Sequence, residues 1–380
     1  MAKKKDNDLS AAESKSENDL LSNFAEGLNK AAGRKVAYLM DKDAEAFTIR
    51  RFSSLVLALD VAMGGGYPLG RDVFFFGKES SCKSTLMYLA MASLHEYDKK
   101  RAVYLEDAEN ALDLPYAIKL GVDSKRFQAV RSYSAEEAIE FFRSGVASGA
   151  FSGLFLDSWS AIQPEKLVEG DGSTQVMGGI GRITSTGLSN IEKDKFKCAS
   201  EYGFMPVVFY SSQVKKKVGV MWGSPDTNSG GTAPGHYASI RIDLTPGEHI
   251  IENDVIVAKK FTFITSKNKT YDSHIRGEFI MMSSSGDYKI SNEATLMDMA
   301  VKSGIIEKKG SWYSYLGSNL AQGAINAAKV IENFPTEEKN KMLDLCMNAL
   351  HPNMKLAFRF KDDTRTTVRE ETVEKCQEES

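Results

Sequence analysis

The chain has little of what would staple it, anchor it or coat it in positive charge. It holds four cysteines in 380 residues, Cys82, Cys198, Cys346 and Cys376, and none falls in a C-x-x-C spacing. The sequence therefore indicates neither a zinc site nor a disulfide framework. No stretch approaches the ~20 consecutive apolar residues of a membrane span. The basic start of "MAKKKDNDLSAAESKSENDLL" lacks the apolar run of a signal peptide. The 48 Lys and Arg are outnumbered by 51 Asp and Glu, for a net charge of −3 and a pI near 6.1. Any attraction to nucleic acid must then come from a local basic patch. There is no internal repeat. The expectation is a cytoplasmic protein without a membrane partner, long enough for two or three domains of roughly 100–200 residues each.

Residues 1 to about 18 are polar and mixed in charge and read as disordered. "LLSNFAEGLNKAA" then has helical periodicity, with Leu20, Leu21, Phe24 and Leu28 on one face. "KVAYLM" (35–40) reads as a short strand. The apolar segments "DVFFFG", "RAVYLED", "SGLFLDS" and "MPVVFYSS" each close on Gly, Asp or Ser, and helical stretches separate several of them. That alternation argues for βαβ units and a mainly parallel sheet. "HYASIRIDLTPG" and "KKFTFITSKNKT" read as hairpin or edge strands. Beyond Ala294, two helical stretches flank the β element "SWYSYLG", which suggests a small separate domain. The tail from Lys361 carries seven acidic residues against four basic ones and reads as a solvated extension.

Chemistry concentrates first in "FFFGKESSCKSTL". Gly77, Lys83 and Ser84 match the phosphate-loop pattern G-x-x-x-x-G-K-[ST], while Cys82 stands where its second glycine belongs. The loop follows an apolar strand and opens a helix, the context in which backbone N–H groups bind phosphate. Gly77, Lys78, Glu79, Ser80, Ser81, Cys82, Lys83, Ser84 and Thr85 would form the nucleotide cradle. Lys83 would reach the β- and γ-phosphates, and the Ser84 hydroxyl would bind Mg²⁺. A Ser-rich turn with a capping lysine is the plainer alternative. In "LFLDS", Asp157 at a strand end suits a carboxylate that holds Mg²⁺ through water, or simply caps a turn. In "VYLEDAENALD", Asp107 and Glu109 close another strand, where a carboxylate could orient an attacking water; for Glu109 the plainer alternative is a helix-start charge.

Two Gly-rich segments, 169–179 and 215–235, carry no evident secondary structure, and loops this long inside a domain are usually functional. "QVKKKVGVMWGS" combines a basic run with Gly, Met and Trp, as a tracker of single-stranded backbone would. A solvated basic turn has the same composition.

"GKESSCKSTL", "EDAENALDLPYAIKLGVD", "LFLDSWSAI", "VGVMWGSPDTNSGGTAPGHYASIRIDL", "SKNKT" and "EKKGSWYSY" resemble, in order, segments of the bacterial RecA recombinase family. The similarity runs from about Leu20 to about Leu350. It implies an α/β RecA-type P-loop ATPase core with a mainly parallel central sheet, an N-terminal helix–strand polymerisation element and a small α+β C-terminal domain. The implied boundaries are 1–50 for the tail and docking element, 51–285 for the core, 286–360 for the C-terminal domain and 361–380 for the acidic tail.

The resemblance further implies ATP and Mg²⁺ as cofactors, with Lys83, Ser84 and Asp157 as phosphate and metal ligands and Glu109 as the water-activating carboxylate. Asp113 and Tyr116 would bind adenine, and Gln213 would sense the γ-phosphate. Lys267 and Lys269 would reach the neighbouring subunit's ATP. The two Gly-rich segments would line a filament axis, with Arg182, Lys215 and Lys217 on DNA phosphates. Gly178, Gly219, Gly230 and Gly231 would allow close backbone approach, and Met177 and Val218 would act as wedges between base triplets. Trp222 either stacks on a base or packs against its own loop. The implied partners are single-stranded DNA, homologous duplex DNA and further copies of the chain in a helical filament. The implied activity is DNA-dependent ATP hydrolysis coupled to strand exchange.

Four departures from the family pattern stand out. Cys82 replaces a glycine, at ~1–2 kcal/mol if the backbone there is left-handed. Its thiol, beside Lys83 and a helix N-terminus, is expected to be acidified and shielded by bound ATP. Asn110 replaces a histidine, and Gly235 and His236 replace lysine and phenylalanine at a subunit contact. The C-terminal region is poor in lysine. Such divergence fits a bacteriophage-encoded or otherwise distant member, acting in a bacterial cell or at phage replication sites. A DNA-coating filament with a weakened ATPase, or a RecA-fold motor ATPase, are the alternatives.

Overall fold

A computed structural model describes residues 19–165, 179–216, 226–228, 233–252, 254–284 and 287–362 of the chain. The segments read as a disordered start and as the end of a solvated tail lie outside the described residues.

Among the described residues twelve strands precede the C-terminal unit. They are β1 Arg51–Phe52, β2 Tyr67–Pro68, β3 Asp72–Gly77, β4 Ala102–Asp107, β5 Phe127–Val130, β6 Phe151–Asp157, β7 Val207–Lys216, β8 Asp226–Asn228, β9 Ile240–Glu252, β10 Val255–Asn268, β11 Ile275–Ser284 and β12 Asp287–Ile290. The central sheet runs in the order β12-β11-β10-β9-β3-β7-β6-β4-β5, with β8 paired to β7. Strands β9, β3, β7, β6, β4 and β5 pair in parallel, and β9 through β12 form an antiparallel extension.

The middle strand, β3, is buried along its whole length. This is why its sequence is an unbroken apolar run and not an alternating one. On one face Phe75, Phe155 and Phe209 meet the helix Lys83–Tyr97 through Leu86, Met87 and Leu94. On the other, Phe74, Phe76 and Tyr210 meet the helices Ala135–Ala147 and Gly179–Tyr202 through Phe142, Leu188 and Ile191. Phe155 and Phe209 stack with centroids 4.7 Å apart. Each such ring contributes ~1.5–3 kcal/mol by burial. The long helix is also pinned by charge. Its buried Lys195 donates to Asp72 at 2.6 Å and to Glu192 at 3.0 Å. Losing that cation would leave Asp72 stranded at the foot of β3, a cost of about 3–5 kcal/mol.

The C-terminal unit is a three-stranded sheet, β13 Ile306–Lys309, β14 Trp312–Tyr315 and β15 Ser318–Gln322, packed on the helices Asn292–Lys302, Ala324–Glu332 and Thr336–Leu350. Its core gathers Leu296, Ala327, Ile331, Leu343 and Cys346, and Leu57 enters it from the larger unit. Asn292 fixes that junction. It accepts from Leu57 N–H at 2.8 Å and donates to Leu55 O at 3.0 Å.

The N-terminal helix spans 19–32 and leaves its apolar face uncovered, with Leu20 69% and Phe24 67% exposed. The expected strand at 35–40 is not formed. A strand needs a partner, and here the N–H groups of Val36 and Ala37 both donate to Asn29 Oδ1, at 2.7 and 2.8 Å. The segment folds back on its own helix and turns helical at Met40–Asp43. Among the described residues no helix is long and apolar enough to cross a membrane.

Candidate nucleotide-binding site

The sheet register assembles the site. Gly77 at the end of β3 lies opposite Gln213 on β7, and Asp107 on β4 lies opposite Asp157 on β6. The C-terminal ends of β3, β4 and β6 thus lie beside Gln213 of β7, the place where open α/β sheets bind ligands.

After β3 the chain turns through Lys78–Cys82 and enters the helix at Lys83. A Cβ on Gly77 would lie 2.3 Å from Ser81 Oγ and 2.8 Å from Leu244 O, so only glycine fits there. Lys78, Glu79 and Ser80 form the exposed crest. Ser80 and Cys82 both have positive φ, 57° and 73°, the region that disfavours side chains by ~1–2 kcal/mol. The Lys83 ammonium is folded into the loop. It donates to Lys78 O at 2.8 Å, Gly77 O at 3.1 Å and Ser81 Oγ at 3.3 Å. Burial lowers its pKa, and the carboxylates of Asp157 and Glu109 oppose that shift.

Cys82 departs from expectation. Its thiol is not acidified but pushed up to about 12, because burial outweighs Thr85, Lys259 and Lys83. The αL backbone turns the side chain into the core on the β11 side, where Sγ sits 4.0 Å from Met281 Sδ.

Behind the loop, Ser84 Oγ donates to Asp157 Oδ2 at 2.6 Å, and Ser211 Oγ donates to Asp157 Oδ1. Burial raises the Asp157 pKa, with Ser211, Ser84 and Lys83 pulling the other way. A hydroxyl and a carboxylate oxygen side by side are hard oxygen donors. They suit Mg²⁺, which takes few protein ligands and fills its shell with water and phosphate. Among the described residues no group of three or more His, Cys, Asp or Glu is placed to bind a metal by itself.

Glu109 follows β4 in a turn, not at a helix start. The N–H groups of Ala108 and Glu109 donate to Asp157 O at 2.9 and 3.3 Å, and Asn110 at φ 53° lets the chain reverse. Gln213 Nε2 donates to Glu109 Oε1 at 3.3 Å. Ser158 Oγ donates to the same carboxylate oxygen. Sequence reasoning missed Ser158, Ser160 and Ser211. For Ser158 and Ser160 the only signal was the hydroxyl at every second residue in "DSWS", and for Ser211 the serine pair before Gln213.

Asp113 caps the helix Leu114–Lys119 by accepting from Tyr116 N–H at 2.9 Å. Thr85 Oγ1 and Tyr116 OH share a hydrogen bond of 3.1 Å, which joins the loop helix to this turn. Lys267 Nζ donates to Gly235 O at 2.6 Å and His236 O at 3.0 Å within its own chain. Burial and Lys269 lower its pKa. Lys269 is exposed. Arg182 is exposed on the helix Gly179–Tyr202, and Lys215 lies in β7. Met177, Gly178, Lys217, Val218, Gly219, Trp222, Gly230 and Gly231 lie outside the described residues.

A phosphate loop closing a central parallel strand, with a hydroxyl–carboxylate pair behind it, places the chain among the P-loop nucleotide-binding proteins. Relatives narrow this. Protein RecA of Brucella anthropi is 34% identical over 324 residues, 85% of this chain and 86% of that protein. Protein RecA of Paracoccus denitrificans is 33% identical over 311 residues, 81% and 84% of the two chains. The RecA N-terminal domain family matches residues 20–287 and the RecA C-terminal domain family residues 294–340. The chain belongs to the RecA family.

Proposed function

We propose that the protein is an ATP-dependent recombinase that assembles on single-stranded DNA, pairs it with homologous duplex and exchanges strands in the cytoplasm. The observation that carries this reading is the contact of Gln213 with Glu109. A protein that merely held nucleotide would need neither residue, whereas a DNA-stimulated ATPase needs a water-activating carboxylate and a link to its DNA-binding segment.

In this reading the amides of Gly77–Thr85 and the Lys83 ammonium take the phosphates, with Lys83 exchanging its loop carbonyls for phosphate oxygens. Ser84 and Asp157 hold Mg²⁺, which would neutralise charge on the β- and γ-phosphates. Glu109 orients the attacking water and accepts its proton. Asp113 and Tyr116 flank adenine. Lys267 and Lys269 add charge to a neighbour's site once Lys267 leaves its own carbonyls, which makes hydrolysis depend on assembly. Arg182 and Lys215 bind DNA phosphates, so DNA affinity falls steeply with salt. The uncovered face of the helix 19–32 docks on the next subunit. Because Cys82 turns its sulfur away from the loop interior, it gives no support to a DNA-coating filament that has lost its ATPase.

The test is ATP hydrolysis with and without single-stranded DNA, alongside Glu109→Gln. Strong stimulation abolished by Glu109→Gln is the expected result. DNA-independent turnover would refute the recombinase reading in favour of a general NTPase.

A further inference from the structure

Gln213 reaches Glu109 by a second route. Its backbone N–H donates to Ser160 Oγ at 3.1 Å. Ser160 Oγ and Ser158 Oγ are 2.8 Å apart, and Ser158 Oγ donates to Glu109 Oε1. Each hydroxyl has one hydrogen. Ser158 commits its hydrogen to the carboxylate, so Ser160 must donate to Ser158. The hydrogen bonds therefore all run one way, from the Gln213 amide through two hydroxyls to Glu109, and a chain so aligned strengthens each of its members.

The start of this chain is not a side chain that can swing independently. It is the backbone of β7, held in register with Gly77 of the phosphate-loop strand. Three residues later β7 ends at Lys216, inside the second Gly-rich segment, which starts at 215. Ser158 is buried and Ser160 half-buried, so water competes poorly for these bonds.

We propose that Ser160 is a positioning residue that ties the backbone of β7 to the orientation of Glu109. A shift at the end of β7 then reaches the carboxylate through two hydroxyls, in parallel with the Gln213 side chain. The inference rests on the ATPase reading above and adds a residue to it.

Full-length Ser160→Ala, Ser160→Thr, Glu109→Gln and the double variant Glu109→Gln/Ser160→Ala are compared in ATP hydrolysis, with poly-dT as the single strand. Ser160→Ala is expected to lower the DNA-stimulated kcat about tenfold, as loss of a bond in a charge-terminated chain would, and to leave the KM for ATP unchanged. Ser160→Thr, which keeps the hydroxyl, should retain most of the rate. The double variant should be no slower than Glu109→Gln alone, because the two residues act as one unit.

Wild-type kcat in Ser160→Ala, while Glu109→Gln abolishes hydrolysis, would overturn the role of Ser160 and leave the ATPase reading standing. Equal losses in the Ala and Thr variants together with a raised KM would assign Ser160 to packing and overturn the proposal. No hydrolysis by the unaltered protein would overturn both.

Discussion

Cys82 holds its sulfur 4.0 Å from that of Met281. A residue that looks, in sequence, like an obstruction in the phosphate loop is part of the wall behind it. The left-handed φ of 73° carries a cost of ~1–2 kcal/mol. Burial of a small apolar side chain against a soft thioether offsets part of that cost.

Alkylation should barely touch this thiol. A buried sulfhydryl pushed up to about 12 presents almost no thiolate at pH 8, and the thiolate is the nucleophile. Mass spectrometry of the Cys82 peptide after iodoacetamide treatment should show slow labelling whether or not ATP is present. Fast labelling without nucleotide, suppressed by ATP, would instead place the sulfur in the phosphate pocket.

Ser84→Ala should weaken nucleotide binding selectively when Mg²⁺ is present. The hydroxyl donates to Asp157, and losing a bond to a charged group amounts to roughly tenfold to a hundredfold in affinity. Titration of ATP with Mg²⁺ and then with EDTA separates the two conditions. An equal loss in both would show a collapsed loop and not a missing metal ligand.

Asp60 should make the fold less stable as pH rises. It is fully buried, accepting from Ser53 Oγ at 2.7 Å and Ser54 N–H at 2.7 Å. Burial raises its pKa from 3.8 to about 7, despite those bonds and the nearby Arg51. Between these values the folded protein keeps a proton that the unfolded chain releases. The contribution is therefore complete below pH 3.8 and lost as pH climbs through about 7, on the order of a few kcal/mol. Urea unfolding at pH 5, 6.5 and 8 should show Asp60→Asn gaining on the wild type with rising pH. Parallel curves would mean that Asp60 does not titrate in this range.

Phe24→Asp should separate folding from assembly. The ring is 67% exposed in the single chain, so unfolding free energy should move by less than about 0.5 kcal/mol. Sedimentation with ATP and single-stranded DNA should show loss of large assemblies. Unchanged sedimentation would remove the helix 19–32 from the subunit contact.

The sheet strands were legible because β3, β4, β6 and β7 are buried on both faces and so appear as apolar runs closed by Gly, Asp or Ser. The phosphate loop was legible because its pattern is local. What the sequence hid depends on direction. "KVAYLM" has strand composition, yet Asn29 takes its amide hydrogens. The Cys82 thiol has the neighbours of an acidified group, yet an αL backbone aims it into the core. Ser158 and Ser160 carry no motif, and only a register between β6, β7 and the turn after β4 makes a line of them. Lys267 lies in an extended strand, and nothing local says that its ammonium ends on the carbonyls of Gly235 and His236.

The pairing of β3 also sets a timetable for synthesis. Val73 pairs with Phe209 on one side and Ile240 on the other, so the strand that bears the phosphate loop has no neighbour until much later parts of the chain emerge. At about 5–20 residues per second that interval is on the order of ten seconds. During it the apolar run Val73–Phe76 of the strand and the first face of its helix wait unpaired. A ribosome stalled before Phe209 would display this strand with neither neighbour, one stalled before Ile240 would leave one edge open, and chaperone contact with the nascent chain should peak over the first window.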